Sequence, residues 1–120
     1  MVRTVVTSLG VAVPKSPLSH GVRWGDLLFV SGQVAPEAAG VEGQTRAVLE
    51  KMGVILRAGG SDFANVLRCC VYLADIRTFE TMNAVYREFF PEAQPTRTTI
   101  ECKMASPAIV VEIDCVAGVS

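Results

Sequence analysis

The chain has 120 residues, about the length of one ordinary domain, and half of its residues are hydrophobic while 19% are charged. This composition excludes an intrinsically disordered chain, and no apolar run reaches the ~18 residues that would predict a transmembrane helix. Eleven Lys and Arg residues stand against twelve Asp and Glu residues, a net charge of −1, so we expect no nucleic-acid partner. The lack of a long apolar run predicts no membrane partner either.

The N-terminal half of the chain predicts two strands followed by a helix. Residues 1–13 have the period and length of a first strand and lack a convincing signal-peptide cleavage site. Residues 27–31 predict a second strand, and residues 33–40 predict a loop. Apolar residues then recur at helical spacing over residues 44–58, and the Gly59-Gly60 pair would end that helix.

The C-terminal half predicts a strand, a second helix and two further strands. Residues 66–73 have the composition of a strand. Asp75 is a candidate N-cap for a helix whose apolar stripe extends over residues 79–89. Residues 97–104 and 109–117 read as strands, and the loop of about four residues between them predicts a β-hairpin. The simplest fold is α+β, with two helices on one face of a mixed, mainly antiparallel sheet.

Side-chain alternation divides the predicted sheet into an apolar face and a mixed face. In the last strand the apolar face carries Ile109, Val111, Ile113, Cys115 and Ala117. In the central strand it carries Leu67, Cys69, Val71 and Leu73. The mixed face carries Arg97, Thr99, Glu101, Val110, Glu112, Asp114 and Val116. Because the mixed face is too apolar to lie bare, we expect a second copy of the chain to cover it and to form a site there.

Three charged residues would meet on the mixed face if the last two strands form a symmetric hairpin. Glu101 would then face Glu112, and opposed carboxylates repel each other unless a cation or a shared proton intervenes. Arg97 is assigned to the same face, and its planar guanidinium suits a substrate carboxylate. The same residues could instead form a salt-bridge cluster that only orders the interface.

The cysteine and histidine residues predict no metal centre. Cys69, Cys70, Cys102 and Cys115 include no CxxC pair, and His20 is the single histidine, so neither a zinc site nor a disulfide framework is expected. Cys102 and Cys115 are interpreted as small core residues rather than nucleophiles. Free thiols suit a reducing cytosol, which favours a cytoplasmic protein. A lone His20 is expected to be a surface or hydrogen-bonded residue rather than a catalyst.

Three motifs occur in a fixed order: FVSGQ at residues 29–33, MNAVYREFF at residues 82–90 and PTRTTIE at residues 95–101. Their order and spacing resemble the RidA/YjgF family of reactive-intermediate deaminases over nearly the whole chain. The resemblance implies a single RidA/YjgF-like domain over residues 1–120 with a chorismate-mutase-like fold, and a homotrimer around a central barrel. It also implies hydrolysis of reactive enamines and imines of small amino-acid-derived carboxylates to keto acids and ammonia. This chemistry would take place in clefts between subunits, without a metal or an organic cofactor.

The resemblance implies two catalytic residues. Arg97 matches the family arginine that binds the substrate carboxylate. Glu112 matches the glutamate that helps to hold a water near the imine carbon. An arginine that orients the substrate and a positioned water are sufficient for so reactive a bond, which needs only modest assistance.

The resemblance also implies substrate-binding positions. Ser31 and Gly32 match pocket positions at a strand end, and Asn83 matches an asparagine of the second helix. Thr99 stands where many members have Cys, and it still offers a hydroxyl. Leu18 stands where the family usually has an aromatic residue, which implies a less polar pocket in this chain.

A non-catalytic trimer that binds a small carboxylate or a partner protein in the same cleft is the alternative function. The loss of the aromatic residue at Leu18 favours that alternative, whereas the presence of Arg97 and Glu112 favours the enzyme. RNA cleavage, a third activity attached to the family, is disfavoured by the balanced charge and the single histidine.

Overall fold

The computed structural model describes residues 1–8 and 10–119, so Leu9, inside the predicted first strand, and Ser120 lie outside the described residues. The helices are α1 (Gly40–Ala58) and α2 (Phe79–Phe89). The strands are β1 (Arg3–Val6), β2 (Gly21–Trp24), β3 (Leu27–Gln33), β4 (Val66–Leu73), β5 (Thr96–Glu101) and β6 (Val111–Gly118). Short 3-10 turns occur at Phe63–Asn65 and Ile76–Thr78.

Both predicted helices are present, and both bury their apolar stripes. The fully buried apolar residues of α1 are Val48, Leu49, Met52, Ile55 and Leu56. Helix α1 begins before the predicted range because its first turn carries one apolar residue, Val41, too few to show a stripe. Its end is as predicted, since the Gly59 N–H donates to the carbonyls of the last turn and Gly60 adopts a φ of +86°. Asp75 caps the 3-10 turn that leads into α2 rather than α2 itself.

The sheet order is β1-β2-β3-β6-β4-β5, and the predicted hairpin between the last two strands is wrong. Strand β4 lies between β5 and β6, pairing in parallel with β5 and antiparallel with β6. Helix α2 explains this arrangement, because a crossover helix brings the chain back to pair in parallel with the strand before it. Hydrogen bonds then hold the connection around the end of β4, from the Cys102 N–H to the Leu73 carbonyl and from the Ala74 N–H to the Val110 carbonyl.

One strand was not predicted. Strand β2 forms a hairpin with β3, with Trp24 opposite Leu27, and Gly25 in the turn adopts a φ of +58°. The strand is only four residues long and begins at a glycine, so its alternation is too short to be recognised from the sequence.

Side-chain faces agree with the predictions in β6 but not in β5. Buried residues of β6 alternate along the strand and face the helices, as predicted, and they are Val111, Ile113, Cys115 and Ala117. The parallel register of β5 pairs Cys69 with Arg97 and Val71 with Thr99, which places Arg97 and Thr99 on the helix-covered face. Their predicted position on the mixed face is therefore wrong. Strand β5 has too little apolar alternation for the sequence to show which of its two faces is covered by the helices.

The predicted burial of Leu67 in β4 is also wrong, because the strand contains a β-bulge. Leu67, predicted as core, is 51% exposed, whereas Val66 is buried. The pairing with β6 shifts register between Val66 and Arg68, and an extra residue at a bulge moves the neighbouring side chain to the other face.

The face of the sheet away from the helices is called the open face, and it exposes large apolar side chains. Those between 39% and 48% exposed are Val5, Trp24, Leu27, Phe29 and Ile100. Glu112 and Asp114 of β6 lie on the same face. Within residues 1–8 and 10–119, neither helix combines the length and the apolar character that crossing a membrane requires.

Gln44 ties the first turns of α1 to the segment that leads into β6. Its Nε2 donates to the carbonyls of Ala38 and Ala108, at 3.2 Å and 2.9 Å, and its Oε1 accepts from the Val110 N–H at 3.0 Å. The side chain is 3% exposed, so its removal would leave buried backbone groups without partners.

We therefore expect Gln44→Ala to lower the free energy of unfolding by about 1–3 kcal/mol, the cost of a buried group left unsatisfied. Urea unfolding at one fixed protein concentration measures the loss, since the stability of a self-associating chain depends on concentration. Glu50→Ala, at an exposed position of the same helix, is the matched control and should lower it by less than ~0.5 kcal/mol. Equal losses in the two variants would contradict the anchoring role of Gln44.

Candidate active site

Arg97 lies on the helix-covered face near the start of the edge strand β5, where it packs on aromatic rings of α2. Its guanidinium carbon is 4.8 Å from the centroid of the Tyr86 ring and 5.4 Å from that of Phe79, distances at which cation–π attraction stabilises an arginine. No carboxylate within residues 1–8 and 10–119 lies at ion-pair distance from Arg97. The rings therefore position the guanidinium, one Nη1–H of which donates weakly to the Met82 sulfur at 4.0 Å, while its other N–H groups stay available to an anion.

A cavity of about 390 Å³ opens beside this guanidinium. Its lining residues are Asn83, Tyr86, Arg87, Gln94, Pro95 and Arg97. The Oδ1 of Asn83 and the Oγ1 of Thr99 are both buried without a hydrogen-bond partner in the described part of the chain, and a bound ligand or water would satisfy them. We call Asn83, Arg97 and Thr99 the arginine half of the site.

Glu112 lies on the open face and packs against the backbone of Gly32. A Cβ at position 32 would overlap the Glu112 carboxylate, so this close approach requires a glycine. The neighbouring Ser31 is held in place, because its Oγ donates to the Ser19 carbonyl at 2.5 Å and its N–H donates to the His20 carbonyl at 2.9 Å. The end of β3 therefore presents its backbone directly beside a carboxylate.

Leu18 directly precedes Ser19 and His20, whose carbonyls accept the two Ser31 hydrogen bonds, so it lies near the end of β3. Leu18 and Gly32 line one cavity of about 370 Å³, and the Leu18 side chain is 48% exposed. His20 lines the same cavity, and its Nε2 donates to the Ala12 carbonyl at 2.7 Å, which confirms the prediction of a hydrogen-bonded histidine. We call Leu18, Ser31, Gly32 and Glu112 the glutamate half of the site.

Burial and the nearby Asp114 carboxylate raise the pKa of Glu112 above its ordinary value. Both effects disfavour the charged form. Asp114 in turn accepts a hydrogen bond from the Tyr72 hydroxyl at 3.0 Å, and burial together with this bond raises the pKa of Tyr72 to about 12. Glu112 is thereby suited to exchange a proton with a bound water nearer to neutral pH than an exposed glutamate.

The two halves do not meet within one chain. Arg97 and Glu112 lie on opposite faces of the sheet, with β4 between their strands. Tyr72 pairs with Glu112 on one side and with Ile100 on the other, so Arg97 is three residues along the sheet and two strands across from Glu112. At the usual spacings this places their Cα atoms about 14 Å apart, with the sheet itself in between.

The predicted pairing of Glu101 with Glu112 is wrong. Glu101 pairs with Leu73, and its Oε2 accepts from the Ile76 N–H at 2.9 Å. Its carboxylate thus caps the 3-10 turn before α2 instead of joining a charge cluster on the open face. The alternative role of Arg97, a salt-bridge cluster with Glu101 and Glu112, is absent from the described residues. Glu101 lies at the 3-10 turn, and Arg97 and Glu112 lie on opposite faces of the sheet.

The sequence does not reveal the aromatic rings that pack against Arg97 or the side chains that lie near Glu112. Phe79 and Tyr86 belong to the helical stripe that was interpreted as packing against the sheet, which is correct but incomplete. Their contact with Arg97 was missed because Arg97 had been assigned to the opposite face. Asp114 is predicted on the same face as Glu112, but nothing in the sequence indicates its hydrogen bond with Tyr72.

The cysteines lie outside both halves of the site. Cys69 and Cys115 are buried, and burial raises the pKa of each thiol, that of Cys69 to about 11, so both remain protonated and weakly nucleophilic. Cys102 is only half-buried, contrary to its interpretation as a core residue. In the part of the chain that the structure describes, no three His, Cys, Asp or Glu side chains are grouped to hold a metal ion.

Two helices on one face of a mixed six-stranded sheet define the protein as an α+β fold, with Arg97 beside a cavity and Glu112 on the open face. The sequence pattern of the family described as endoribonuclease L-PSP matches residues 10–119. The chain therefore belongs to this family, the RidA/YjgF family.

Named relatives agree with this assignment. Over 96% of its length the chain is 33% identical to the chloroplastic reactive intermediate deaminase A of Arabidopsis thaliana, and it spans 65% of that longer protein. It is 30% identical to the human 2-iminobutanoate/2-iminopropanoate deaminase, with 98% of this chain and 90% of that protein covered. The crystal structure of E. coli TdcF with bound serine superposes with a TM-score of 0.90 at 28% identity, covering 98% of this chain and 99% of that chain.

The raised pKa of Glu112 predicts a pH-dependent stability. The folded protein holds this proton more tightly than the unfolded chain does, so stability falls as pH rises from the ordinary glutamate pKa of ~4.3 to the raised value. Glu112→Gln, which resembles the protonated form, should raise the free energy of unfolding relative to the wild type more at pH 7 than at pH 4.

Urea unfolding at the two pH values, at one protein concentration, measures this difference. Asp114→Asn removes the neighbouring negative charge and should reduce the difference without abolishing it, because burial remains. A Glu112→Gln effect of the same size at both pH values would show that the carboxyl titrates normally.

Proposed function

We propose that the protein hydrolyses imines and enamines derived from amino acids, releasing a 2-keto acid and ammonia. The observation that carries the proposal is the Arg97 guanidinium, seated on aromatic rings without a carboxylate partner and open to a cavity. The names of the plant and human relatives support the same reaction. Serine, bound in the E. coli neighbour, shares with such imines a carboxylate beside a nitrogen-bearing carbon.

The reaction follows from the two halves of the site. Arg97 binds the substrate carboxylate through paired hydrogen bonds, which fixes the neighbouring C=N carbon in position. A water held between Glu112 and the backbone near Gly32 adds its oxygen to that carbon, while a proton goes to the nitrogen. The resulting carbinolamine loses ammonia as its hydroxyl proton is removed, which leaves the keto acid. Enamines first take a proton on carbon to become imines, and no step transfers electrons to a cofactor.

The two halves come together between copies of the chain in this proposal. The arginine half of one subunit faces the glutamate half of its neighbour, because a single chain holds them on opposite faces of the sheet. The exposed apolar residues of the open face supply the interface, and their burial stabilises it by about 25 cal/mol per Å². We propose a homotrimer with the open faces around a central barrel, in which each cleft contains one complete site.

A reducing compartment suits this assembly. Cys69, Cys70, Cys102 and Cys115 are all free, and oxidising surroundings would favour their reaction. We propose a cytoplasmic location, with one RidA/YjgF-like domain over residues 1–120. Cleavage of RNA, which the family's description names, has little support in a chain whose net charge is −1.

Subunit complementation tests the shared site. Arg97→Ala and Glu112→Gln should each reduce imine hydrolysis to near the background rate, whereas Arg97→Lys should retain a small fraction. When the two inactive chains are co-expressed with different tags and mixed trimers are isolated through both tags, about a third of the clefts should combine a native Arg97 with a native Glu112, because each mixed ring contains one such cleft in three. Ammonia and keto-acid release from freshly generated 2-iminobutanoate measures the recovery.

The matched control pairs Arg97→Ala with the double variant Arg97→Ala/Glu112→Gln, in which no cleft regains Arg97. Sedimentation of every sample confirms that the subunits remain assembled as trimers. Activity in the first pair alone would support a site built from two copies. The absence of activity in both pairs, with trimers intact, would place the site within one chain, and a fully active Arg97→Ala trimer would remove the basis of the proposal.

The residue at position 18 tests the enzyme against the non-catalytic alternative. Leu18→Tyr restores the hydroxyl that the family usually provides, and one hydrogen bond to a neutral partner is worth about 0.5–1.5 kcal/mol. Hydrolysis of 2-iminopropanoate should therefore become roughly two- to twelvefold faster. Leu18→Phe is the control, because it adds the ring without the hydroxyl. If Tyr and Phe have the same effect, the hydroxyl does not reach the substrate.

A further inference from the structure

The cavity beside Arg97 contains a second arginine that the proposed reaction does not use. Arg87 lies in α2 four residues after Asn83, and residues at this spacing share one face of a helix. Both line the cavity with Arg97. No carboxylate of residues 1–8 and 10–119 is at ion-pair distance from Arg87, so two unpaired guanidinium groups share one cavity of about 390 Å³.

Gln94 adds a polar side chain to the cavity lining at the end of α2. Its Nε2 donates to the carbonyls of Phe90 and Pro91, at 3.1 Å and 3.3 Å. These bonds fix the side chain at the end of α2 and hold the loop that follows the helix beside Arg87. No acidic residue is among the side chains that line the cavity. The lining therefore offers two positive charges and no negative charge to a ligand.

Two cations in one cavity match a ligand with two anionic groups. A substrate with a single carboxylate neutralises Arg97 and leaves the repulsion from Arg87 uncompensated. A second carboxylate on the substrate side chain converts that repulsion into attraction. Because Arg87 is exposed, solvent and salt screen this attraction, so it selects among substrates without being needed to bind them.

We propose that the protein prefers imines with a second carboxylate, such as those of aspartate and glutamate, and that Arg87 is the residue that selects them. This inference rests on the proposed hydrolysis and on Arg97 as the ligand of the first carboxylate. Arg87 contacts the second carboxylate, at the end of the substrate away from the C=N bond. The reaction itself is unchanged, with water added and ammonia released.

The test compares the imine of aspartate with the imine of asparagine, which has the same size and lacks the second charge. Both are generated in the assay by amino-acid oxidases, and the imine that remains is trapped by semicarbazide. The ratio of kcat/KM for the two imines should favour the aspartate imine by about five- to tenfold, and Arg87→Gln should bring the ratio close to one. Added salt should lower the wild-type ratio.

Arg57→Gln is the matched control. Arg57 is an exposed arginine of α1 that pairs with Asp62 and lines none of the cavities described above, so its variant should keep the wild-type ratio. A wild-type ratio at or below one would overturn the proposal, as would an unchanged ratio in Arg87→Gln. An equal fall of the ratio in Arg57→Gln would also overturn it, since general charge would then explain the preference.

A binding measurement separates this proposal from the proposed reaction. Calorimetry with succinate and with its monoamide measures recognition of the second carboxylate without any chemistry. Succinate should bind about five- to tenfold more tightly, and Arg87→Gln should remove that difference. If neither imine is hydrolysed but this pattern appears, the reaction is wrong and the dicarboxylate site is supported. If succinate and its monoamide bind equally, the site is overturned whatever the activity.

Discussion

Helix α2 carries the chain back to the side of β4, where β5 pairs in parallel and Arg97 lies beside Cys69. This register directs the Arg97 side chain toward α2, so the guanidinium rests on Tyr86 and Phe79. An antiparallel hairpin with β6 would have turned the same side chain to the open face, among the carboxylates of β6. A guanidinium that packs on aromatic rings leaves its positive charge and its N–H donors available to a ligand. One that lies among carboxylates would use both in ion pairs.

Most elements of the fold could be predicted because their signals are local. The apolar stripes of both helices, the glycine stop after α1 and the alternation of β6 are each contained in a short stretch of sequence. The pairing of strands is not local, and a four-residue loop suits a hairpin as well as it suits a connection around the end of β4. Strand β5 also lacks apolar alternation, so the sequence left its two faces undetermined.

The site residues were predicted from a resemblance, and the sequence pattern alone would have grouped them wrongly. Alternation placed Arg97 and Glu112 on one face of one sheet, where they would have neutralised each other. The structure separates them, and it also places Glu101 at a helix-capping position that strand alternation could not reveal. Contacts such as the rings under Arg97 depend on the crossover of α2, so they became visible only in three dimensions.

A divided site makes catalysis depend on assembly. In the proposed reaction each half alone has an incomplete set of groups: the arginine half would bind a carboxylate without a positioned water, and the glutamate half would position a water without an anchored substrate. In the proposed trimer, bringing the halves together across an apolar interface would couple the burial of Trp24, Leu27 and Phe29 to the completion of the cleft. Imine hydrolysis tolerates this design, because a bond that is already reactive in water requires positioning more than strong acid–base chemistry. In the proposed trimer the open face would have two roles that cannot be separated: its apolar residues would hold the copies together, and Glu112 among them would reach the substrate only when they do.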